Sequence, residues 1–208
     1  MGYGIRIATL LALACATPAV AAAPHAAPSP HAASSPQAVS AKAGLYADYA
    51  FLVGEWDVRG HGGPPVAVVR FQWGPNQSYL WYSLAMLQDG HEQPHLEGLL
   101  LWNGARRNLD ILLTLDLEGG RAQEQGVVSI RPDGTVVKEV TGIYSEGEPF
   151  PPGFDKAGAH GATARFRQTF RAAGPDTVVT AAMREAKDGW VPTFPGSDRL
   201  VMTRRAKG

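Results

Sequence analysis

Three residues in the stretch HEQPH have the types and spacing for metal chemistry: His91, Glu92 and His95. The pattern H-E-x-x-H is typical of zinc metalloproteases, in which both histidines bind the metal from one face of a helix and the glutamate is the general base. Pro94 argues against a helix, because inside one it removes a hydrogen bond and costs about 3 kcal/mol. Asp89-Gly90, immediately before the stretch, is a turn signal. We therefore interpret HEQPH as a hairpin connection, a rim loop of a β-structure, rather than a protease centre.

Other catalytic arrangements are missing from the sequence. It contains no G-x-S-x-G nucleophile elbow and no glycine-rich phosphate loop that opens a helix. Its single cysteine, Cys15, lies near the N-terminus. We predict no catalytic residue and no metal site. One alternative remains open, which is an enzyme whose site is built from the loop histidines His91, His95 or His160 and a carboxylate.

The N-terminal segment predicts export. Residues 1–21 carry a positive Arg6, an apolar run and the small-x-small site Ala19-Val20-Ala21, which is the pattern of a secretory signal peptide. The apolar run is shorter than the roughly 20 residues of a membrane span, so no membrane span is expected. We predict a periplasmic or secreted protein. The alternative is a lipoprotein that is cleaved before Cys15 and anchored there by lipid.

The rest of the chain divides into a spacer and one domain. Residues 22–43 are rich in Ala, Pro and Ser and predict a disordered spacer, because they offer almost nothing to bury. Residues 44–208 have the size of a single folded domain. After cleavage at Ala21 the chain has no cysteine, so the core must be sufficient without disulfides.

Charge excludes one class of partner. The sequence has 19 Lys and Arg against 19 Asp and Glu, and its basic residues are not segregated into a patch. Nucleic-acid binding requires such a basic patch. We therefore expect no nucleic-acid partner.

The sequence of the domain predicts a series of short β-strands. From Val53 onward, about ten short apolar runs are separated by clusters of Gly, Pro, Asn and Asp, of which Asp133-Gly134 is the clearest hairpin signal. The pattern predicts an all-β antiparallel meander of about ten strands. Leu45, Tyr49 and Leu52 fall at helical spacing, so a short helix is expected before the first strand. The Pro- and Gly-rich stretch from residue 145 to residue 161 reads as a loop over one end.

The start of the domain carries a resemblance. Phe51-Leu-Val-Gly54-Glu-Trp56 resembles the G-x-W start of the lipocalin-like (calycin) β-barrels, in particular the lipocalin-like domains of unknown function in secreted bacterial proteins, and more distantly the nitrobindins. The resemblance implies a meander barrel with a short N-terminal helix that closes one end. It also implies that the tryptophan plugs that end beneath an arginine from a late strand, for which Arg204 is the candidate. Gly54, Trp56 and Arg204 would then form a structural motif at the closed end.

A cofactor is not expected. A nitrobindin-like protein would bind haem through a histidine near the C-terminus, but no histidine follows His160 in this sequence. We therefore predict neither haem nor another cofactor.

The predicted function is the binding of a small apolar or amphipathic ligand inside the barrel, because barrel mouths are preferred places for such pockets. The expected cavity residues are Phe71, Trp73, Trp102, Phe166 and Phe170. The same aromatic side chains could instead fill a narrow barrel. A further alternative is a ligand-free interaction protein that forms a homodimer through apolar outer faces.

The arginines of one late strand allow two interpretations. Arg165, Arg167 and Arg171 share a face opposite Phe166 and Phe170. They either form a solvent-facing row or lie within a cavity and bind an anionic head group, and the aromatic side is the better core face.

Overall fold

The structure is a computed structural model, and it describes residues 44–60, 62–117, 120–146 and 163–206. The predicted signal peptide with Cys15, the spacer, His160 and most of the loop at 145–161 lie outside these ranges. The described residues form eleven β-strands, which are β1 (Gly54–Arg59), β2 (Pro65–Trp73), β3 (Leu80–Gln88), β4 (His91–Asn103), β5 (Asn108–Leu117), β6 (Gly120–Ile130), β7 (Val136–Glu146), β8 (Thr163–Gly174), β9 (Thr177–Ala186), β10 (Gly189–Pro192) and β11 (Leu200–Arg204).

Ten of these strands close into an antiparallel barrel. The order around the ring is β11-β1-β2-β3-β4-β5-β6-β7-β8-β9, and β9 pairs with β11 to close it. The all-β, ten-stranded antiparallel barrel predicted from the sequence is thus confirmed, and it is compatible with a lipocalin-like fold. The remaining strand, β10, pairs with the second half of β9, beyond the part that pairs with β11.

The predicted N-terminal helix is wrong in type. The segment Ala47–Leu52 is a 3₁₀ helix of six residues rather than an α-helix. Tyr46, Tyr49 and Leu52 are buried, whereas Leu45 is 53% exposed. A spacing of three places side chains on one line of a 3₁₀ helix, which has 3.0 residues per turn, so the apolar pattern fits this geometry better than the 3.6-residue repeat. No helix in the described ranges is long and apolar enough to cross a membrane.

The 3₁₀ helix packs across one end of the barrel. The Tyr46 hydroxyl donates to the Ser78 carbonyl at 2.9 Å and accepts from the Trp102 backbone N–H at 2.9 Å. The Tyr49 hydroxyl donates to the Val128 carbonyl at 3.2 Å, and burial raises the pKa of Tyr49 to about 12. This segment, with Tyr46 before it, is therefore attached to β4, to β6 and to the connection between β2 and β3 at this end, which we call the closed end.

The stretch HEQPH lies in a strand and not in a rim loop, which corrects the sequence-based interpretation. β4 begins at His91, which pairs with Gln88 across a turn formed by Asp89 and Gly90 alone. Both turn residues have positive φ, 51° and 79°, as the tight hairpin turns that match strand twist require. HEQPH is thus extended, and its two histidines cannot meet at helical spacing.

Candidate functional site

Gly54, Trp56 and Arg204 come together at the closed end. The Arg204 guanidinium carbon lies 4.2 Å from the centroid of the Trp56 ring, and Arg204 Nη1 donates to the Val53 carbonyl at 2.9 Å. Trp56 Nε1 donates to the Leu52 carbonyl at 2.7 Å. A Cβ on Gly54, whose φ is 140°, would overlap Arg204 Nη1. Only glycine therefore leaves room for the guanidinium and also tolerates this backbone conformation.

The five aromatic residues expected to line a cavity separate into two groups. Phe71, Phe166 and Phe170 are buried in the core, and the rings of Phe71 and Phe170 meet edge to face at 5.8 Å. Trp73 and Trp102 pack instead around Tyr46 at the closed end, with ring centroids 5.7 Å and 6.4 Å away.

The interior beside these rings has almost no free space. A cavity bordered by Phe71, Phe170, Tyr82 and Lys138 has a volume of only about 10 Å³, which is roughly the space of one water molecule. The half of the barrel nearer the closed end is therefore filled by side chains, as in many small barrels.

Strands β4 and β5 part at the opposite end of the barrel. Their ladder stops at Leu96 opposite Leu115. Beyond that point β4 continues to pair with β3 as far as His91, and β5 continues to pair with β6 as far as Leu117. The barrel wall is thus unpaired between the β3–β4 hairpin and the β5–β6 hairpin.

The local sequence accounts for this parting. Opposite Leu84 and Ala85 the register of β4 shifts, so that His95 is an extra residue between Pro94 and Leu96. A bulge of this kind bends its strand and interrupts pairing. Pro94 has no N–H to donate and is found in sheets mainly at edges and bulges. The bend at the His95 bulge and the missing N–H donor of Pro94 therefore coincide at the point where β4 separates from β5.

A cavity of about 590 Å³ opens at the parting, and we call it the lateral cleft. Its lining includes two rows of register partners across neighbouring strands. The outward row is Arg70, Ser83, Glu97, Thr114 and Gln123, and the inward row is Leu84, Leu96, Leu115 and Ala122. The other lining residues are Ala85, Glu92, Pro94 and His95. The cleft thus combines an apolar inner wall with a polar outer edge, and none of the five aromatic residues lines it.

An ionic network borders the cleft. Arg70 Nη2 lies 2.9 Å from Glu55 Oε1 and 2.8 Å from Glu92 Oε2, and Arg205 Nη1 lies 2.7 Å from both Glu55 Oε1 and Glu92 Oε1. Two carboxylates therefore share two guanidinium groups. Through Glu92, the network ties the first part of β4 to β2 and to the end of the chain.

Behind the inward row lies a buried ion pair. Lys138 Nζ is 2.7 Å from Glu124 Oε2, and the two side chains are 7% and 8% exposed. Lys138 Nζ also lies 5.4 Å from the centroid of the Tyr82 ring. Burial and, to a smaller extent, Glu124 raise the pKa of the Tyr82 phenol.

His95 connects the cleft with this pair. It lines the cleft, and its partial burial lowers its pKa, while the charges of Glu124 and Lys138 act on it in opposite directions. His95 is therefore within electrostatic range of both buried charges. The described residues contain no group of three His, Cys, Asp or Glu side chains arranged to hold a metal.

The arginines of β8 form ion pairs on the outer surface. Arg165 Nη1 lies 2.8 Å from Glu185 Oε1, and Arg167 Nε donates to Glu139 Oε1 at 2.7 Å. The Arg167 guanidinium also stacks on the Trp190 ring at 4.1 Å. Arg171 is exposed on the same face. Arg165, Arg167 and Arg171 therefore form a solvent-facing row, which is the first of the two interpretations of these arginines.

No protein-family model matches the chain, and no curated protein matches it.

Sequence reasoning missed the buried pair, although each strand carries a signal. In β6, Ala122, Glu124 and Val128 share one face, and in β7 Lys138 lies between Val136 and Val140 on one face. A charged residue at an otherwise apolar inward position is a feature that alternation could have revealed.

Proposed function

We propose that this protein binds a small apolar or amphipathic molecule in the lateral cleft, without catalysis, in the periplasm or outside the cell. The observation that supports it is the cavity of about 590 Å³ between β4 and β5, because small-molecule pockets usually measure about 300–1,000 Å³ and combine apolar walls with a few polar groups. The signal-peptide pattern predicted for residues 1–21 supports the location. The ten-stranded ring and the Gly54-Trp56-Arg204 contact support membership of the lipocalin-like (calycin) barrels.

The two sides of the cleft suit an amphipathic molecule. Leu84 and Leu96 are partly exposed and offer apolar surface, whereas Leu115 is only 4% exposed. Each square ångström of apolar surface removed from water contributes about 25 cal/mol. The outward row, which includes Thr114 and Gln123, remains in contact with water. An apolar body would therefore lie against the inward row, with the rest of the molecule at the polar edge.

The test is binding of N-phenyl-1-naphthylamine, a neutral apolar dye, to the chain from residue 22 onward. Thr114 and Leu112 are both exposed residues on the outward face of β5, but only Thr114 lines the cleft. We expect Thr114→Trp to weaken dye binding about tenfold, since its ring would occupy the cleft, whereas the matched control Leu112→Trp leaves binding unchanged. Equal binding by wild type and both variants would place the dye elsewhere.

A second experiment tests whether the protein carries a natural ligand. The chain is purified from its export compartment, extracted with organic solvent and compared with the intact protein by native mass spectrometry. A stoichiometric adduct that disappears on extraction, and is absent from Thr114→Trp, is the expected result. If wild type carries no adduct and binds no apolar dye, the binding function is wrong.

A second candidate function is self-association. On the outward face, Leu101 and Leu112 are 46% and 54% exposed, and Trp81 and Leu99 lie in the same region through the register Trp81↔Leu99↔Leu112. Exposed apolar clusters often mark interaction surfaces. Light scattering that shows a dimer for wild type and a monomer for Leu101→Lys with Leu112→Lys would support this function.

A further inference from the structure

The side chains of the buried pair, Glu124 and Lys138, do not use all of their hydrogen-bonding capacity. A lysine ammonium has three N–H donors, and a carboxylate has about four acceptor positions, yet the contact described between them is one ion pair. The contact of 2.7 Å between Lys138 Nζ and Glu124 Oε2 uses one of these donors and one of these acceptor positions. Unused hydrogen-bonding capacity of this kind is expensive inside a protein, and a ligand could satisfy it.

Tyr82 adds an unpartnered group to the same place. Its side chain is 1% exposed, and its hydroxyl has no hydrogen-bond partner within the described part of the chain. Its ring lies against Lys138 Nζ. Most buried hydroxyls in proteins are hydrogen-bonded, so Tyr82 offers both a donor and an acceptor to an incoming group.

Glu124, Lys138 and Tyr82 do not line the cleft, and Tyr82 and Lys138 border the interior cavity of about 10 Å³ instead. His95 lines the cleft and is within electrostatic range of Glu124 and Lys138. Glu124 is two residues from the cleft-lining Ala122 on the inward face of β6, and its register partner Leu113 is two residues from Leu115. The polar groups therefore form the next layer of the interior beneath the inward row.

We propose that the head group of the ligand reaches past the inward row of the cleft to the layer of Glu124, Lys138 and Tyr82, and that it is an uncharged alcohol hydroxyl, since the cavity beside Tyr82 and Lys138 has the space of about one water molecule. The proposal rests on the proposed binding function and names its ligand class. Glu124 and Lys138 together carry no net charge, so a neutral head group keeps the buried layer neutral. A hydroxyl can donate to Glu124 while it accepts from Lys138 or Tyr82.

Charged head groups fit this layer less well. A carboxylate would compete with Glu124 for Lys138, and an ammonium would compete with Lys138 for Glu124. Each would leave an uncompensated charge in a region where charges are stable only in pairs. The Glu124–Lys138 pair therefore selects against both kinds of charge.

The experiment is displacement of N-phenyl-1-naphthylamine from the chain beginning at residue 22 by three ligands of equal chain length: 1-decanol, decanoate and decylammonium, at pH 7.5. We expect 1-decanol to displace the dye at a concentration at least tenfold lower than either charged ligand. If decanoate or decylammonium is as effective as 1-decanol, the head-group proposal is wrong while the binding function stands. If the dye does not bind wild type at all, the binding function fails and the proposal fails with it.

Variants of the pair test the mechanism of selection. Glu124→Gln leaves Lys138 uncompensated and should reverse the preference from 1-decanol to decanoate. Because this variant can fail to fold, the double variant Glu124→Gln with Lys138→Met, in which both charges are removed, is measured beside it. The double variant should bind the dye normally and lose most of the tenfold advantage of 1-decanol. An unchanged preference in a folded double variant, verified by circular dichroism, would overturn the proposal.

Discussion

At the scale of single residues, Arg204 joins the last strand to the start of the domain. Its guanidinium stacks on Trp56 and donates to the Val53 carbonyl, and its Nε lies 2.9 Å from Asp176 Oδ1. A planar group with several fixed donors can make these contacts together, whereas the ammonium of lysine cannot. The planar guanidinium of Arg204 should therefore contribute more to the stability of the domain than its positive charge alone.

We predict that Arg204→Lys lowers the free energy of unfolding by about 1–3 kcal/mol, the sum of a cation–π contact and a lost hydrogen bond. Urea denaturation measures the change. Arg199→Lys is the control, because that side chain is 80% exposed and pairs only with its neighbour Asp198 among the described residues. Equal stability of the two variants would show that the stacked guanidinium is dispensable.

Glu92 gives stability a dependence on pH. Its hydrogen bond from Arg205, followed by that from Arg70, lowers its pKa from the ordinary value of 4.5 against the effect of burial. A carboxyl with a lowered folded-state pKa contributes stability that is complete above its unfolded pKa and is lost as pH falls through its folded pKa. The contribution should thus be complete at pH 7 and be lost progressively as pH falls below 4.5 and through the lowered pKa of Glu92.

The prediction is that wild type is more stable than Glu92→Gln at pH 7 and that the difference shrinks as pH falls below 4.5. Thermal unfolding at several pH values measures it. Glu97→Gln serves as the control because Glu97 lines the cleft but makes no ion pair within the described residues. A difference between wild type and Glu92→Gln that is constant with pH would contradict the role of the Glu92 charge.

Some contacts between single residues could be predicted from the sequence, and others could not. Gly54, Trp56 and Arg204 could be named from a short motif and the final strand. Glu124 and Lys138 could not be paired, because Lys138 is opposite Val128 in the register, four residues along β6 from Glu124. Only the coiling of the strands and the length of both side chains bring the charges together, and neither is visible in a hydrophobic pattern.

At the scale of elements, the strands were largely predictable and their edges were not. Turn residues and alternation predicted about ten strands, as many as the ring contains, but not the short strand β10, which begins at Gly189. In the sequence, Pro94 argues against a helix, and with the turn signal Asp89-Gly90 it leads to the interpretation of a hairpin connection. The structure places Pro94 where β4 has lost its β5 partner, and a proline is tolerated there. The lateral cleft arises from this tertiary feature, so the sequence did not predict it.

Pro94 thus has a testable effect on the wall. Replacing it by valine restores a backbone donor and a residue that favours strands, so Pro94→Val should extend the β4–β5 ladder beyond Leu96 and Leu115. We expect slower hydrogen exchange at this edge and several-fold weaker dye binding. Pro65→Val is the control, since Pro65 lies in β2 away from the cleft. Unchanged exchange and binding in Pro94→Val would show that the bulge at His95 alone keeps the strands apart.

At the scale of the whole molecule, the barrel divides into a filled half and a half with the lateral cleft. Aromatic rings and the 3₁₀ helix occupy the first, whereas Leu96, Leu115 and Ala122 leave space in the second. The sequence supplied the aromatic residues but not the depth at which each lies. For this reason the expected cavity was assigned to the part of the barrel that is filled.

Closure of the ring depends on two glycines where neighbouring strands approach closely. A Cβ on Gly98 would overlap the Leu112 carbonyl oxygen, and a Cβ on Gly126 would overlap that of Glu139. Both obstacles are backbone atoms of the adjacent strand, so they cannot rotate away as a side chain can. Glycines at such positions allow strands to bend sharply in a barrel.

We therefore expect Gly126→Ala to reduce the free energy of unfolding by about 1–3 kcal/mol, the usual cost of forcing extra atoms into a packed structure. The matched control is Gly174→Ala at the end of β8, where an added Cβ meets no atom within 4 Å. There, alanine should be neutral or slightly stabilising, because it lowers the entropy of the unfolded chain. Urea denaturation of both variants separates the two effects, and equal stabilities would mean that β6 and β7 can move apart without loss of the ring. A destabilised Gly126→Ala beside an unaffected Gly174→Ala would instead show that strand curvature at Gly126, rather than glycine content in general, holds the barrel closed.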